Sequence, residues 1–199
     1  MTKVLTFKVE VEELEKKIWR VIEITDSKTV ADLAYTILAT FDSLAYHLYN
    51  IKHGNDRYDC MIAMEDYCGK EKLIHADISK LSKVDFSEDK KMVMRYDYGS
   101  TITFIINYMA SRELEKGNVR HYPYIIDGEG RGMVDDLSIS ELIDIINDID
   151  KKGNSVHNFT PGYERTIKYD YRDFELKESN ILLKALVEEI KTGYEGYEE

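Results

Sequence analysis

Apolar and polar residues alternate from the start of the chain. Leu5, Phe7, Val9 and Val11 are separated by Thr6, Lys8 and Glu10, and a period of two predicts a half-buried strand. A polar turn at Glu15-Lys16-Lys17 leads into Ile18–Ile24, whose β-branched and aromatic residues predict a second strand. Residues 3–24 therefore read as an antiparallel hairpin. Thr29 then stands as a helix N-cap, with Asp32 at the position that completes a capping box. The period changes there. Leu33, Ala34, Ile37, Leu38 and Phe41 form a helical stripe over residues 30–41.

The pattern turns extended again at His47–Lys52. The turn His53-Gly54-Asn55-Asp56 predicts a return strand over Tyr58–Met64. Residues 65–91 are polar and weakly patterned, with an apolar knot at Leu73, Ile78 and Leu81. A second hairpin follows: Met92, Met94, Tyr96 and Tyr98 share one face, Gly99-Ser100 turns, and Ile102, Phe104, Ile106 and Tyr108 return. Ser138 and Glu141 make another capping box. Ile139, Leu142, Ile143, Ile146 and Ile149 then mark a helical face that ends at Gly153. Residues 154–173, with Pro161-Gly162, read as loop. A last amphipathic helix over 177–191 uses Leu182, Leu183, Leu186, Val187 and Ile190, and Thr192–Glu199 reads as a frayed tail. Together the elements predict an α+β fold. It has a mostly antiparallel sheet, an N-terminal ββα unit packed by one helix, and a helical C-terminal part. Trp19, Phe41, Phe104 and Leu142 are the expected core.

Charge divides the chain. Residues 1–120 hold 18 basic and 20 acidic side chains, a balance of −2, and residues 121–199 hold 9 and 18, a balance of −9. The division suggests a β-rich core over 1–120 and an acidic helical extension over 121–199, packed as one domain; 199 residues suit that size. A net charge of −11 repels a phosphate backbone, and no basic run forms an arm, so no direct nucleic-acid partner is expected. No apolar run is long enough to span a bilayer, and the charged, alternating N-terminus is unlike a signal peptide. Two cysteines make no disulfide framework, so a cytoplasmic protein with free thiols is expected. The 15 tyrosines, apolar on the face and polar at the tip, suit half-buried strand positions or a binding face.

Several stretches, taken in order, resemble one family. They are Ile18-Trp19-Arg20 on a strand, Thr29-Val30-Ala31-Asp32-Leu33 opening a helix, and His47-Leu48. Then come Tyr96-Asp97-Tyr98-Gly99, Tyr122-Pro123 before Gly128-Glu129-Gly130, and Asp173–Asn180 ahead of the last helix. This order, over about residues 5–187, resembles the Ri-plasmid ORF-three-like family, also labelled a transposon passenger protein family. The resemblance implies a compact α+β fold with a mostly antiparallel sheet and carries over no biochemical activity. Its link to mobile elements is one of gene neighbourhood. Where the family has Asp, Trp and His after its Tyr-Asp-Phe-Gly, this chain has Ser100, Ile102 and Phe104. The family's Cys- and Pro-containing stretch after Gly-Glu-Gly is replaced by Arg131–Asp136. A metal or catalytic role built on those positions does not carry over.

The candidate chemistry is sparse. Cys60, Cys68 and His75 lack the short paired spacing of a zinc site, and a free cysteine acts mainly as a small buried hydrophobe. Asp127, Glu129, Asp135 and Asp136 crowd among glycines, as oxygen ligands for a hard cation do, but they miss the EF-hand pattern and fit a solvated acidic loop better. The glycines are not spaced to cradle phosphate, and two carboxylates beside them would repel it. No metal and no cofactor are therefore expected. His47 sits at a helix-to-strand junction where a pocket rim and a general base are conceivable. Asp97, flanked by Tyr96 and Tyr98, reads either as an anionic acceptor on a recognition surface or as a turn residue binding amides beside Gly99.

These residues support a non-enzymatic binding or interaction module. Its candidate binding residues are His47, Tyr96, Asp97, Tyr98, Asp127 and Glu129, and its expected partner is a basic protein or a small ligand. The alternatives are a metal-assisted hydrolase built on His47, Asp97 and the 127–136 segment, and an accessory protein of a plasmid or transposon process. A deep pocket joining His47 to two carboxylates would favour the enzyme, and a shallow Tyr-lined face the interaction module.

Overall fold

The structure, a computed structural model, describes residues 1–65, 73–115, 117, 121–132, 135, 137–153, 157–159 and 167–196. Cys68, Asp136 and Pro161-Gly162 lie outside these residues, as do 197–199 of the expected tail.

The strands are β1 (Lys3–Val11), β2 (Trp19–Thr25), β3 (Tyr49–His53), β4 (Asp56–Asp59), β5 (Ile74–His75), β6 (Lys91–Tyr96), β7 (Ile102–Glu113), β8 (Tyr124–Glu129), β9 (His157–Phe159) and β10 (Ile167–Tyr169). The helices are α1 (Val30–Thr40), α2 (Met61–Glu65), α3 (Ile139–Lys152) and α4 (Leu176–Glu195). Eight strands form one sheet in the order β5-β4-β3-β6-β7-β1-β2-β8, and β9 pairs with β10 apart from it. Every pairing in the large sheet is antiparallel except β4 with β5. This is the expected α+β class.

The predicted hairpins form, with Phe7 opposite Ile22 and Met94 opposite Phe104. Their alternation sorts the sheet into two faces. Phe7, Val9, Val11, Ile22, Ile24, Met92, Met94, Tyr96, Ile102, Phe104 and Ile106 are buried on one face. The other carries charge, including the Lys8–Glu10 and Arg112–Glu23 ion pairs. The capping box at Thr29 is made in both directions, with Asp32 N–H to the Thr29 hydroxyl and Thr29 N–H to the Asp32 carboxylate. Every residue of α1 is buried. The Phe41 ring meets Phe104 of the sheet, and α4 packs against α1 from its other side. Trp19, expected in the core, is half-buried on the charged face, where its indole N–H donates to Glu129 and Lys8 lies over its ring.

Several expectations are corrected. The strand predicted over Tyr58–Met64 stops at Asp59, and the chain turns helical at Met61. Of the predicted knot, Leu81 is buried but Ile78 is exposed. The 154–173 stretch contains the β9–β10 pair. α4 runs on to Glu195, because Tyr194 continues the buried stripe of Leu183, Val187 and Ile190. The C-terminal part carries the expected helices α3 and α4, and β8 within it joins the sheet beside β2. Arg20 accounts for the glycine there. A Cβ on Gly128 would lie 2.8 Å from the Arg20 side chain. That buried guanidinium donates to the carbonyls of Thr40, Trp19 and Glu129 and stacks on Phe174. Burial lowers its pKa to about 10.

Candidate functional site

The segment from Asp42 to Leu48 joins α1 to β3 along an unusual path. Asp42 and Ala45 both adopt left-handed backbone, with φ of 55° and 56°. Such conformations cost side-chain-bearing residues energy and persist where neighbours over-determine them. The neighbours are visible. Asp135 accepts hydrogen bonds from the Ser43 hydroxyl (2.9 Å), the Leu44 amide (2.7 Å) and the Tyr96 hydroxyl (2.9 Å). Ala45 N–H donates to the Ser43 hydroxyl, and the Tyr194 hydroxyl donates to the His47 carbonyl. Asp97 N–H donates to the Leu48 carbonyl. The loop is thus pinned by α4, by the end of β6 and by the segment after β8.

Between this loop and α4 lies a groove of about 630 Å³, lined by Leu44, Tyr46, His47, Ile62, Leu186 and Tyr194 among others. Its floor is mainly apolar and its edge holds Asp42 and Glu189. Three side chains at its mouth are unusually exposed for their type: Leu44 at 68%, Tyr46 at 44% and Leu186 at 37%.

His47, one of the candidates, lines the groove, with Nδ1 3.7 Å from Asp97 Oδ1 and its ring edge-on to Tyr96. Tyr96 is buried, and burial together with the Asp135 carboxylate raises its pKa. Asp97 does not follow the strand alternation. It lies past the end of β6 with φ of 55°, its carboxylate accepts the Gly99 amide at 3.0 Å, and its carbonyl accepts the Thr101 amide. The turn role weighed for it is therefore present. Tyr98 also leaves the strand face. It is 44% exposed, its hydroxyl accepts from Asn50, and burial of its inner part raises its pKa.

Asp127 and Glu129 are not on a loop. Both lie on β8, four strand spacings from β6, roughly 19 Å at about 4.8 Å each. Asp127 accepts its neighbour Gly128's amide and Glu129 accepts from Trp19. The structure thus brings His47, Tyr96, Asp97 and Tyr98 together around the end of β6, in the middle of the sheet, and leaves Asp127 and Glu129 on the edge strand β8. Of the acidic cluster, Asp135 reaches the site, as a clamp on the loop. Among the described residues no group of three or more His, Cys, Asp or Glu is placed to hold a metal ion. The Cys60 thiol is buried, and burial raises its pKa.

Leu44, Tyr46, Leu186, Glu189 and Tyr194 were not candidates from sequence. Tyr194 had a signal, its spacing from Ile190 and Val187. The others are brought together only by packing.

The architecture defines an α+β protein with one helix-covered sheet face and an apolar groove at its edge. Residues 3–179 match the family model described as plasmid pRiA4b ORF-3-like protein, and the chain belongs to that family. Among solved structures it is similar to a protein of unknown function from Methanosarcina mazei Go1, MM3350. That likeness has a TM-score of 0.69 at 21% identity, over 89% of this chain and 98% of the other, and it shows the fold alone. No curated protein matches. Among the described residues no helix is long and apolar enough to cross a membrane.

Proposed function

We propose that this protein is a non-enzymatic binding module whose ligand seat is the groove between the 42–48 loop and α4. The observation that carries this reading is the commitment of the polar groups around the groove. Asp135 holds three donors of the loop and the β6 end, and Asp97 holds the turn beside Gly99. A general base or a metal ligand needs a carboxylate aimed at the bound molecule. Apart from Asp42, Ser43, His47 and Glu189, the surface offered to a ligand is made of leucine, isoleucine, alanine, glycine and tyrosine, which suits recognition of an apolar group.

Gly193 supplies the test. It lines the groove, and a Cβ built on it meets nothing within 4 Å. Gly193→Trp should fill the groove without disturbing the fold. Fragments found by ligand-observed NMR with the wild-type protein should lose their signal with Gly193→Trp. If the variant retains them, the groove is not the seat.

A second reading has one observation in its favour, the 3.7 Å approach of His47 to Asp97, which could orient an imidazole as a hydrolytic base. Turnover of activated esters that vanishes in His47→Ala would promote it. An accessory role in a plasmid or transposon process is compatible with a binding module, and the family is named after a plasmid reading frame.

A further inference from the structure

The groove does not end at Leu186. A hollow of about 190 Å³ continues along α4 between Leu182 and Ile125, and another of about 370 Å³ extends to Arg172 and Phe174. Asp42 lines all of them; Leu186 is shared by the first two, and Glu178 and Ser179 by the last two. They form one trough that follows α4 from Gly193 to Ser179. That distance is about 14 residues of helix, about 21 Å at 1.5 Å per residue.

Carboxylates outnumber cations along the trough. They are Asp42, which pairs with Arg131 at 3.5 Å, and Glu189, Glu178, Glu175 and Asp173. The arginines that line it are committed, Arg20 to three backbone carbonyls and Arg172 to Asp170 and the Gly153 carbonyl. α4 itself is sorted by stripe. Glu178, Leu182, Leu186 and Glu189 recur at helical spacing along the trough, whereas Lys177, Lys184 and Lys191, seven residues apart, line none of it. Lys191 turns inward to Asp32 and Glu195. Leu182 is 58% exposed, so the apolar floor stays open from Gly193 to Leu182, and beyond it the lining turns polar.

We infer that the trough receives a basic amphipathic helix of a partner protein, about 14 residues long, with leucine-like side chains on the α4 stripe and lysine or arginine against the acidic rim. This rests on the binding reading above and names the partner's chemistry. An apolar floor supplies the contact area. A rim with an excess of carboxylates rejects acidic helices and speeds the encounter with basic ones.

The test uses the full chain and a labelled 14-residue peptide with leucines at helical spacing and lysines flanking them, beside a counterpart in which glutamate replaces every lysine. Anisotropy should show saturable binding of the basic peptide, weakening as salt rises. The acidic peptide should bind at least about tenfold more weakly, and Glu178→Lys/Glu189→Lys should weaken the basic peptide by about tenfold or more. Gly193→Trp should weaken it as much while leaving the melting temperature in place. Equal binding of both peptides, or indifference to the charge reversal, overturns the basic partner while a continuing effect of Gly193→Trp keeps the groove. Binding that ignores Gly193→Trp overturns the groove itself. Absence of saturation at about 100 μM basic peptide also overturns the proposal. So does concentration-dependent dimerisation that Gly193→Trp abolishes, which would place a second copy in the trough.

Discussion

Replacing Asp135 by alanine tests how the groove wall is built. Asp135 is 6% exposed, and its carboxylate receives three hydrogen bonds, from Ser43, Leu44 and Tyr96. Alanine leaves three inward-facing donors without an acceptor, at about 1–3 kcal/mol each when buried. Those costs do not add in full, because the donors are neighbours and the vacated space admits water. A loss of about 3 kcal/mol is expected, which for a chain of this length lowers the melting temperature by roughly 6–12 °C. Asp135→Asn keeps one acceptor oxygen and should lose less. Urea unfolding gives the free energy, and amide exchange at Leu44 gives the local effect. Leu44 should exchange faster in Asp135→Ala even under conditions where the global fold holds. A loss below about 1 kcal/mol with unchanged Leu44 exchange would show that the loop is held by something else, and the clamp would be refuted.

Phe41 is fully buried, packs on Phe104 and lies 5.0 Å beneath the Arg20 guanidinium. Phe41→Ala should therefore cost about 3–5 kcal/mol in denaturant unfolding, and a mutant that melts with the wild type would count against the helix placement. Asp32 has a lowered pKa: burial alone would raise it, but the Thr29 amide, Lys28 and Lys191 together outweigh burial. Its contribution is complete above the unfolded value of about 4 and is lost as pH falls through the lower folded value. The stability gap between wild type and Asp32→Asn should shrink as pH drops below about 4, and a gap that widens there would contradict the sign. We also propose that duplex DNA binds weakly at physiological salt, given the net charge of −11. Submicromolar affinity that falls steeply with salt in a labelled-duplex titration would reveal a basic groove and bring the mobile-element role forward.

What was legible in the sequence was what local patterning decides. The two hairpins, α1 with its Thr29–Asp32 cap and α3 with its Ser138–Glu141 cap carry their periods and capping residues within a dozen positions. Where two local readings compete, periodicity alone does not choose. The apolar run after Asp59 suits a strand continuing from Tyr58 as well as the short helix that forms. Gly128 and Gly130 look like loop punctuation, yet Gly128 serves the close approach of Arg20 within β8, and Gly130, with φ of 75°, turns the chain beyond it. The site was half legible. Tyr96, Asp97 and Tyr98 are neighbours in the chain, and His47 joins them because the strand that follows it, β3, pairs with β6. Asp135 and α4 arrive from distant parts of the chain, and no local pattern records that Tyr194 will reach the His47 carbonyl.

The side chain of Asn180 has a consequence for assembly. β8 is the last strand of the large sheet, and an outer strand presents bare amides and carbonyls to any extended chain that drifts past. At Ile125 those groups are taken. Asn180 of α4 accepts the Ile125 amide and donates to its carbonyl, both at 2.8 Å, as a ninth strand would. One carboxamide thereby occupies the border of β8 at Ile125, part of the kind of seam along which sheets zip into fibrils, and it makes that seal conditional on the helix. A partner that lifted α4 away would also unmask the border of β8. The helix seated in the proposed trough would therefore have to leave the inner hold of α4 on the sheet intact.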